Sequence, residues 1–361
     1  MYMTSSSSHS SQGIMSTQPV NFFYTDSGPP PDAEYTTIFF IHGHTFHSSI
    51  FQRLATPARS RGLRLICFNR RGYPWSTPYS SEEQNTIAEG SEAERAAFLH
   101  QQGLDIALFI DGLIQELLLP QKVAIAGWSM GNAFLIACLA SIHEMPGTMR
   151  GRLRTCVKHF FLLGRSLYRS ISFSSPAVPT LITTILKDPP SQLLGIPSPP
   201  NTYHPLQDKD IPPEARGAAF TKWCSSYFRH GPSREFSNLA QRDIDPSKLP
   251  TVESMTPEEL QAVTAASGAT YDSSLSAEFG GVLAAQTEKA LFDPGVREAW
   301  GAPSISLVYG EASPWNCVFA AWSLEERMGG IRVEALEGAN HFFVWEEPER
   351  TVAVLVECLK F

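Results

Sequence analysis

Short apolar runs alternate with helical patterns along the first half of the chain. Such runs are typical of strands covered on both faces of a parallel sheet, and they lie at residues 36–41, 63–68, 123–128 and 156–163, with a shorter run at 20–24. Apolar residues at helical spacing separate them, at residues 49–58, 92–119 and 133–142. The alternation predicts an α/β protein with a mainly parallel sheet flanked by helices.

This alternation stops at Gly164 and returns near Trp300, and prolines are frequent between the two. Helical pieces still occur in that stretch. One begins near Pro213, has Trp223 and Tyr227 at four-residue spacing, and is expected to stop at Gly231. Another begins with a capping box at Thr256. We therefore predict a mostly helical cap inserted into the sheet domain.

The predicted sheet resumes after this insertion. Two further strands are expected at residues 304–310 and 331–336, with a helix at 314–328 between them and a closing helix from Pro348. The serine-rich first residues have no apolar core and are predicted to be disordered. The expected organisation is therefore a disordered segment at 1–18, a core formed by 19–164 and 301–361, and a cap at 165–300.

Composition narrows the possible partners. The net charge of −8 comes without a block of Lys or Arg, so nucleic acid is not an expected partner. The six cysteines are scattered without metal-ligand spacing and are interpreted as buried thiols of a reducing compartment. No run has the length of a membrane span, and no signal peptide is evident. These features predict a cytoplasmic protein with no membrane partner and no bound metal.

The strand at 123–128 leads into Gly127-Trp128-Ser129-Met130-Gly131 and then into a helix. This Gly-x-Ser-x-Gly pattern is typical of a nucleophile elbow, in which a sharp strand-to-helix turn exposes the serine hydroxyl. The backbone N–H of Met130 would then lie at a helix N-terminus, where it can stabilise an oxyanion. Ser129 is the predicted nucleophile.

A serine hydroxyl needs a base to accept its proton, and His341 is the best-placed base. It follows the last predicted strand in a loop of small residues and precedes the final helix. In the chain order serine, acid, histidine, such a loop returns to the sheet edge where Ser129 stands.

The chain resembles the α/β-hydrolase fold superfamily, in particular its cap-bearing esterase and lipase-like branch. The resemblance is carried by His42-Gly43, by Arg71-Gly72-Tyr73, by the elbow at Ser129 and by Gly338-Ala339-Asn340-His341. In appearance the chain is most similar to fungal hydrolases of this fold, which implies no particular substrate. Epoxide hydrolases and haloalkane dehalogenases look similar but have aspartate at the elbow, and Ser129 argues against both activities.

The resemblance also implies roles for residues near the His-Gly pair. The residue after the pair supplies the second oxyanion N–H, which here is the backbone of His44. His42 and His47 are interpreted as structural hydrogen-bonding residues. Arg70 and Arg71 are expected to anchor a loop through salt bridges rather than to bind an anionic substrate.

The acid of the predicted triad departs from the family pattern. The segment after residue 310 has Ser313 where relatives would have aspartate, and Glu311 is the nearest carboxylate. Glu311 is therefore the predicted acid. The alternative is a Ser129–His341 dyad in which Ser313 or a backbone carbonyl orients the imidazole.

Together these residues predict a serine hydrolase that cleaves an ester or lactone of a small to medium, largely apolar compound through an acyl-enzyme. Trp128, Trp223 and Tyr227 are candidates for the substrate pocket, and no organic cofactor is expected. The same Ser–His pair could instead serve a C–C hydrolase or a lyase, because fold and triad do not determine the reaction. A ligand-binding homologue with weak catalysis is a further alternative, and the oligomeric state is left open.

Overall fold

The fold is given by a computed structural model that describes residues 20–31, 34–164, 196, 199–329 and 331–360. The predicted disordered segment at 1–18 and the first part of the predicted cap, residues 165–195, lie outside the described residues.

The described strands form one sheet in the order β1-β3-β2-β4-β5-β6-β7. Every pair is parallel except β1 with β3. The strands are β1 Tyr24–Asp26, β2 Thr36–Ile41, β3 Leu63–Phe68, β4 Val123–Trp128, β5 Val157–Leu163, β6 Ser304–Gly310 and β7 Arg332–Leu336. The predicted α/β architecture with a mostly parallel sheet is confirmed.

Strand β1 differs from its predicted position at 20–24. Its pairing with β3 begins only at Tyr24, which lies opposite Phe68. The residues before it bind side chains of a loop instead, since the N–H of Phe23 donates to Ser76 Oγ at 2.9 Å. The antiparallel edge strand is therefore shifted toward Asp26.

Helices cover both faces of the sheet. Those of the core are α1 Ala55–Arg59, α2 Ser81–Glu89, α3 Glu92–Glu116, α4 Gly131–Ala140 and α5 Gly147–Cys156, and after the insertion α12 Trp315–Arg327, α13 Phe343–Glu346 and α14 Pro348–Leu359; a 3-10 helix spans Ser48–Leu54. Helix α3 begins with a capping box formed by Ser91 and Glu94, and it ends just before Leu118, which adopts a positive φ of 48°. Helix α2 was not predicted because it is mostly polar and buries only Ile87.

Alternate residues of the central strands enter two apolar clusters. On one face Phe39 and Ile125 pack with α3 and α4; on the other Phe40 and Trp128 pack with α14 and the 3-10 helix. Helix α4 is buried along its whole length, and each of its large apolar side chains contributes about 1.5–3 kcal/mol by leaving water. This packing holds the β4–α4 turn in place.

The described part of the insertion between β5 and β6, residues 199–300, is helical. It contains α6 Arg216–Cys224, α7 Thr251–Ser254, α8 Pro257–Val263, α9 Ala266–Glu278, α10 Gly280–Thr287 and α11 Pro294–Ala299. The capping box at Thr256 is confirmed. The helix expected to reach Gly231 ends at Cys224, because the hydroxyls of Ser225 and Ser226 both donate to Lys222 O and compete with the backbone for that carbonyl group.

Candidate active site

Ser129 lies on a sharp turn between β4 and α4. Its φ is +55°, a left-handed conformation that a non-glycine residue rarely adopts and that concentrates at functional sites. The flanking glycines are needed for space: a Cβ on Gly127 would lie 2.8 Å from Gly131 O, and one on Gly131 would lie 2.1 Å from Ile41 O. The turn has the strand–turn–helix geometry of a nucleophile elbow.

Hydrogen bonds tie this turn to the neighbouring strand. The Ser129 N–H donates to Leu163 O at 3.3 Å. Asn132 Nδ2 donates both to Ser129 O at 3.0 Å and to Leu163 O at 3.1 Å. The strained residue is therefore held by β5 as well as by its own helix.

The loop after β2 approaches the elbow closely. A Cβ on Gly43 would lie 2.9 Å from Ser129 Cβ and 3.1 Å from the Trp128 ring, so only glycine fits there. Within the described residues, neither the His44 N–H nor the Met130 N–H donates to an acceptor of the protein. Two unused backbone donors beside a serine are what a tetrahedral oxyanion requires.

His341 reaches the same place from the loop after β7. Its backbone carbonyl accepts a hydrogen bond from Trp128 Nε1 at 3.1 Å, and its ring stacks on that indole with centroids 5.3 Å apart. A Cβ on Gly164 would lie 2.9 Å from His341 Cε1, so β5 ends against the imidazole. Burial lowers the pKa of His341 to about 4, which keeps the ring neutral and able to accept a proton at neutral pH.

The partner of the His341 imidazole is a cysteine. Nδ1 lies 3.6 Å from Cys317 Sγ, which stands in the first turn of α12. Sequence reasoning missed Cys317, because the only signal for it is its place four residues after Ser313. Ser313 itself is buried, but its hydroxyl has no partner among the described residues.

Glu311 does not meet His341, so the structure does not bring the predicted acid to the predicted base. It lines a separate cleft with His230 and Trp322. Its N–H donates to Leu336 O at 3.1 Å, which extends the β6–β7 pairing and places the residue at that edge. Burial, together with the charge of Glu337, raises the pKa of Glu311.

One cavity brings most of the predicted site together. It is lined by His44, Phe46, Trp128, Ser129, Phe220, Trp223, Cys224, Pro314, Asn316, Cys317, His341 and Phe342. Its volume of about 20 Å³ has room for roughly one water molecule. Asn316 is buried, and its Nδ2 has no hydrogen-bond partner among the described residues.

Of the three candidate pocket residues, Trp128 and Trp223 line this cavity and Tyr227 does not. Helix α6 ends at Cys224, so Trp223 and Tyr227 do not share one face of a helix as the four-residue spacing predicted. The ring of Tyr227 instead lies under Lys248 Nζ, 4.4 Å from the ring centroid.

The remaining candidates hold the loops in place. His42 Nδ1 donates to Gly43 O at 3.0 Å, and its Nε2 accepts the Arg70 N–H at 2.9 Å. His47 Nδ1 accepts the N–H of Ser49. Both fit the predicted structural role, and burial lowers both pKa values.

The two arginines form the predicted salt bridges. Arg70 pairs with Asp272, and Arg71 pairs with Glu83 and Asp105. Across the described ranges there is no cluster of three or more potential metal ligands. Nor does any helix in those ranges combine the length and the apolar character needed to cross a membrane.

Solved structures similar to this chain include an esterase from Exiguobacterium antarcticum, at 16% identity, 95% and 96% coverage of the two chains and a TM-score of 0.47. A thermophilic esterase from Thermogutta terrifontis is 14% identical, with 94% of this chain and 93% of that chain covered and a TM-score of 0.47. Epoxide hydrolase A from Mycobacterium thermoresistibile is 16% identical, with 94% of this chain and 95% of that chain covered and a TM-score of 0.46. Similarities this distant carry no information on the reaction. The expected closeness to fungal hydrolases is not supported by these comparisons.

No curated protein matches this chain by sequence. The family comparison is decisive, because residues 38–354 match the sequence pattern of the alpha/beta hydrolase family. That range includes most of β2, the elbow, the insertion, and the loop that carries His341. The chain therefore belongs to the alpha/beta hydrolase family.

Proposed function

We propose that this protein is a serine hydrolase that cleaves an ester or lactone of a small to medium, largely apolar compound. The observation that carries the proposal is the strained Ser129, which shares one cavity with His341 and lies beside two backbone N–H groups that have no acceptor among the described residues. A serine has no structural need for a left-handed turn at that point. An exposed nucleophile does need one.

In the proposed reaction, Ser129 Oγ attacks the carbonyl carbon while His341 Nε2 accepts the hydroxyl proton. The N–H groups of His44 and Met130 bind the oxyanion. The C–O bond then breaks, and His341 returns the proton to the leaving alkoxide. Water hydrolyses the acyl-enzyme by the same steps, which restores the Ser129 hydroxyl.

The surroundings of His341 favour esters with good leaving groups. Its Nδ1 faces a thiol, so the imidazolium formed during attack lacks the charge stabilisation that a carboxylate supplies. Its pKa of about 4 makes it a weak base. Aryl esters and strained lactones need less help from an acid at the leaving oxygen than alkyl esters or amides do. We therefore propose aryl esters and strained lactones as the substrate class.

The apolar character of the substrate follows from the cavity walls. Phe46, Phe342, Phe220 and Trp223 present rings to the cavity, and the last two belong to α6 of the insertion. We propose that the insertion acts as a cap over the serine. Since the cavity holds about one water molecule, substrate entry requires these α6 side chains to shift.

The test is covalent labelling by a fluorophosphonate together with hydrolysis of p-nitrophenyl acetate. Native protein is expected to do both, and Ser129→Ala neither. Ser313→Ala is the matched control, because the Ser313 hydroxyl is buried without a partner and its removal should leave the fold intact. Native protein that is neither labelled nor active would overturn the proposal and favour a ligand-binding homologue. Labelling without ester turnover would favour another reaction of the same serine.

A further inference from the structure

A buried ion pair joins the insertion to the loop that carries His44. Arg70 and Asp272 have side chains only 1% and 3% exposed. Arg70 Nη1 donates to Asp272 Oδ1 at 3.0 Å, and Nη2 donates to Oδ2 at 2.6 Å. Arg70 follows β3 of the core, whereas Asp272 lies in α9.

The same guanidinium also holds the backbone before His44. Arg70 Nε donates to His42 O at 3.1 Å, and Nη2 donates to Gly43 O at 3.0 Å. The three donor nitrogens of Arg70 are therefore shared between a carboxylate of the insertion and two carbonyl groups of the loop.

The backbone after His44 is held by a second route from the same carboxylate. Tyr73 Oη donates to Asp272 Oδ2 at 2.6 Å, and it accepts the Thr45 N–H at 2.9 Å. His44 is thus fixed on both sides. Its own ring also reaches α9, where Nε2 lies 3.0 Å from Ser273 Oγ.

We propose that Asp272 is a positioning residue that aims the His44 N–H at the oxyanion, acting through Arg70 and Tyr73. The inference rests on the proposed function. The insertion would then supply part of the catalytic geometry as well as a roof over the serine.

Peptide geometry provides the physical link. The Gly43 carbonyl and the His44 N–H belong to one planar peptide unit, in which the two bonds point in opposite directions. The cation that binds the carbonyl oxygen therefore fixes the direction of the N–H. It also polarises the peptide, which strengthens the N–H as a donor.

The charge of Arg70 makes this arrangement depend on Asp272. An unpaired guanidinium in such a buried position is strongly unfavourable, so Arg70 remains against the loop only while the carboxylate neutralises it. The charge of Asp272 raises the pKa of Arg70 against the lowering effect of burial. Loss of the carboxylate is expected to release both the guanidinium and the Gly43 carbonyl.

The experiment uses the full chain with the paired change Arg70→Met and Asp272→Leu. Replacing both charges by apolar groups of similar size avoids leaving one charge buried. Tyr73→Phe removes only the second route. Lys289→Met is the matched control, because Lys289 forms an exposed ion pair between the insertion and Glu144 of the core, away from the loop.

For p-nitrophenyl acetate, the paired change is expected to lower kcat about 10- to 100-fold, with KM changed by less than about three-fold, because one oxyanion donor is misaimed. Tyr73→Phe should lower kcat about three- to ten-fold by the same argument. Amide hydrogen exchange of the 42–47 peptide should become faster in both variants. Lys289→Met should change none of these quantities.

Unchanged kcat and unchanged exchange in both variants would overturn the inference. If the paired variant does not fold, Tyr73→Phe decides by the same two measurements. A native protein without esterase activity or labelling would refute the proposed function. In that case faster exchange at 42–47 in the two variants would show that Asp272 orders the loop. Its proposed role in aiming the oxyanion donor would then be refuted together with the proposed function.

Discussion

The insertion contacts the surroundings of Ser129 in two different ways. On the α9 side the contacts are directional: the 42–47 loop receives the buried carboxylate network and two backbone bonds, from His47 N to Val263 O and from Ala265 N to Thr45 O. On the α6 side the contacts are apolar, with the Phe220 and Trp223 rings over the serine. Directional bonds determine one geometry, whereas ring contacts adapt to what lies beneath them. In the proposed mechanism, the α9 side aims a backbone donor and the α6 side accepts the substrate.

The largest effect, a loss of stability, should come from removing the buried Arg70–Asp272 ion pair on the α9 side. Asp272→Asn leaves Arg70 as an uncompensated buried charge and should lower the free energy of unfolding by about 3–5 kcal/mol. Lys289→Met, which removes an exposed pair, should cost no more than about 1 kcal/mol. Chemical denaturation of both variants measures the difference. Equal losses of unfolding free energy in the two variants would show that the buried pair stabilises the fold no more than the exposed pair does.

A second prediction concerns the pH dependence of the base. His341 must be neutral to accept a proton, so kcat/KM should be retained above pH 5 and lost as the pH falls through about 4. Cys317→Asp places a carboxylate near Nδ1 and should raise this pKa toward or above the usual value near 6.5. Cys317→Ser is the neutral control. A loss of kcat/KM centred near pH 6.5 in the native protein would contradict the lowered pKa of His341.

A third prediction sharpens the role of the α6 side. Phe220→Ala removes a ring from the cavity wall and should raise kcat/KM for p-nitrophenyl butyrate over acetate by about ten-fold, the discrimination that a small apolar volume provides. Phe236→Ala is matched, since Phe236 is also partly exposed within the insertion but packs on Trp315 and Phe319. If the two variants shift the preference equally, α6 does not set the specificity.

The smallest effect is expected at Glu311. Because it lines a separate cleft, Glu311→Gln should change kcat/KM by less than about two-fold, within the range typical of residues that do not touch the reaction. Steady-state kinetics at neutral pH tests this. A loss of several orders of magnitude would restore Glu311 as a triad acid reached by a rearranged loop.

Local pattern was sufficient for most of the core. Strands β2, β3 and β4 begin and end where the apolar runs do, because strands buried on both faces of a parallel sheet leave no room for polar residues. The elbow could also be predicted, because the Gly-x-Ser-x-Gly pattern marks it locally, although the backbone that requires glycine at position 131 is that of Ile41, far away in the chain. The edge strand β1 was misplaced because half-exposed edges carry a weaker pattern.

What the sequence by itself determined is the succession of the seven strands along the chain, the turn at Ser129, and the loop after the last strand that carries His341. Only the tertiary structure decided which side chain faces His341, where α6 ends relative to Tyr227, and that Arg70 meets Asp272, 202 residues further along the chain. The reason is physical. Periodicity and turn chemistry act over a few residues, whereas a polar partner is selected by whichever group the packed elements bring within about 3 Å.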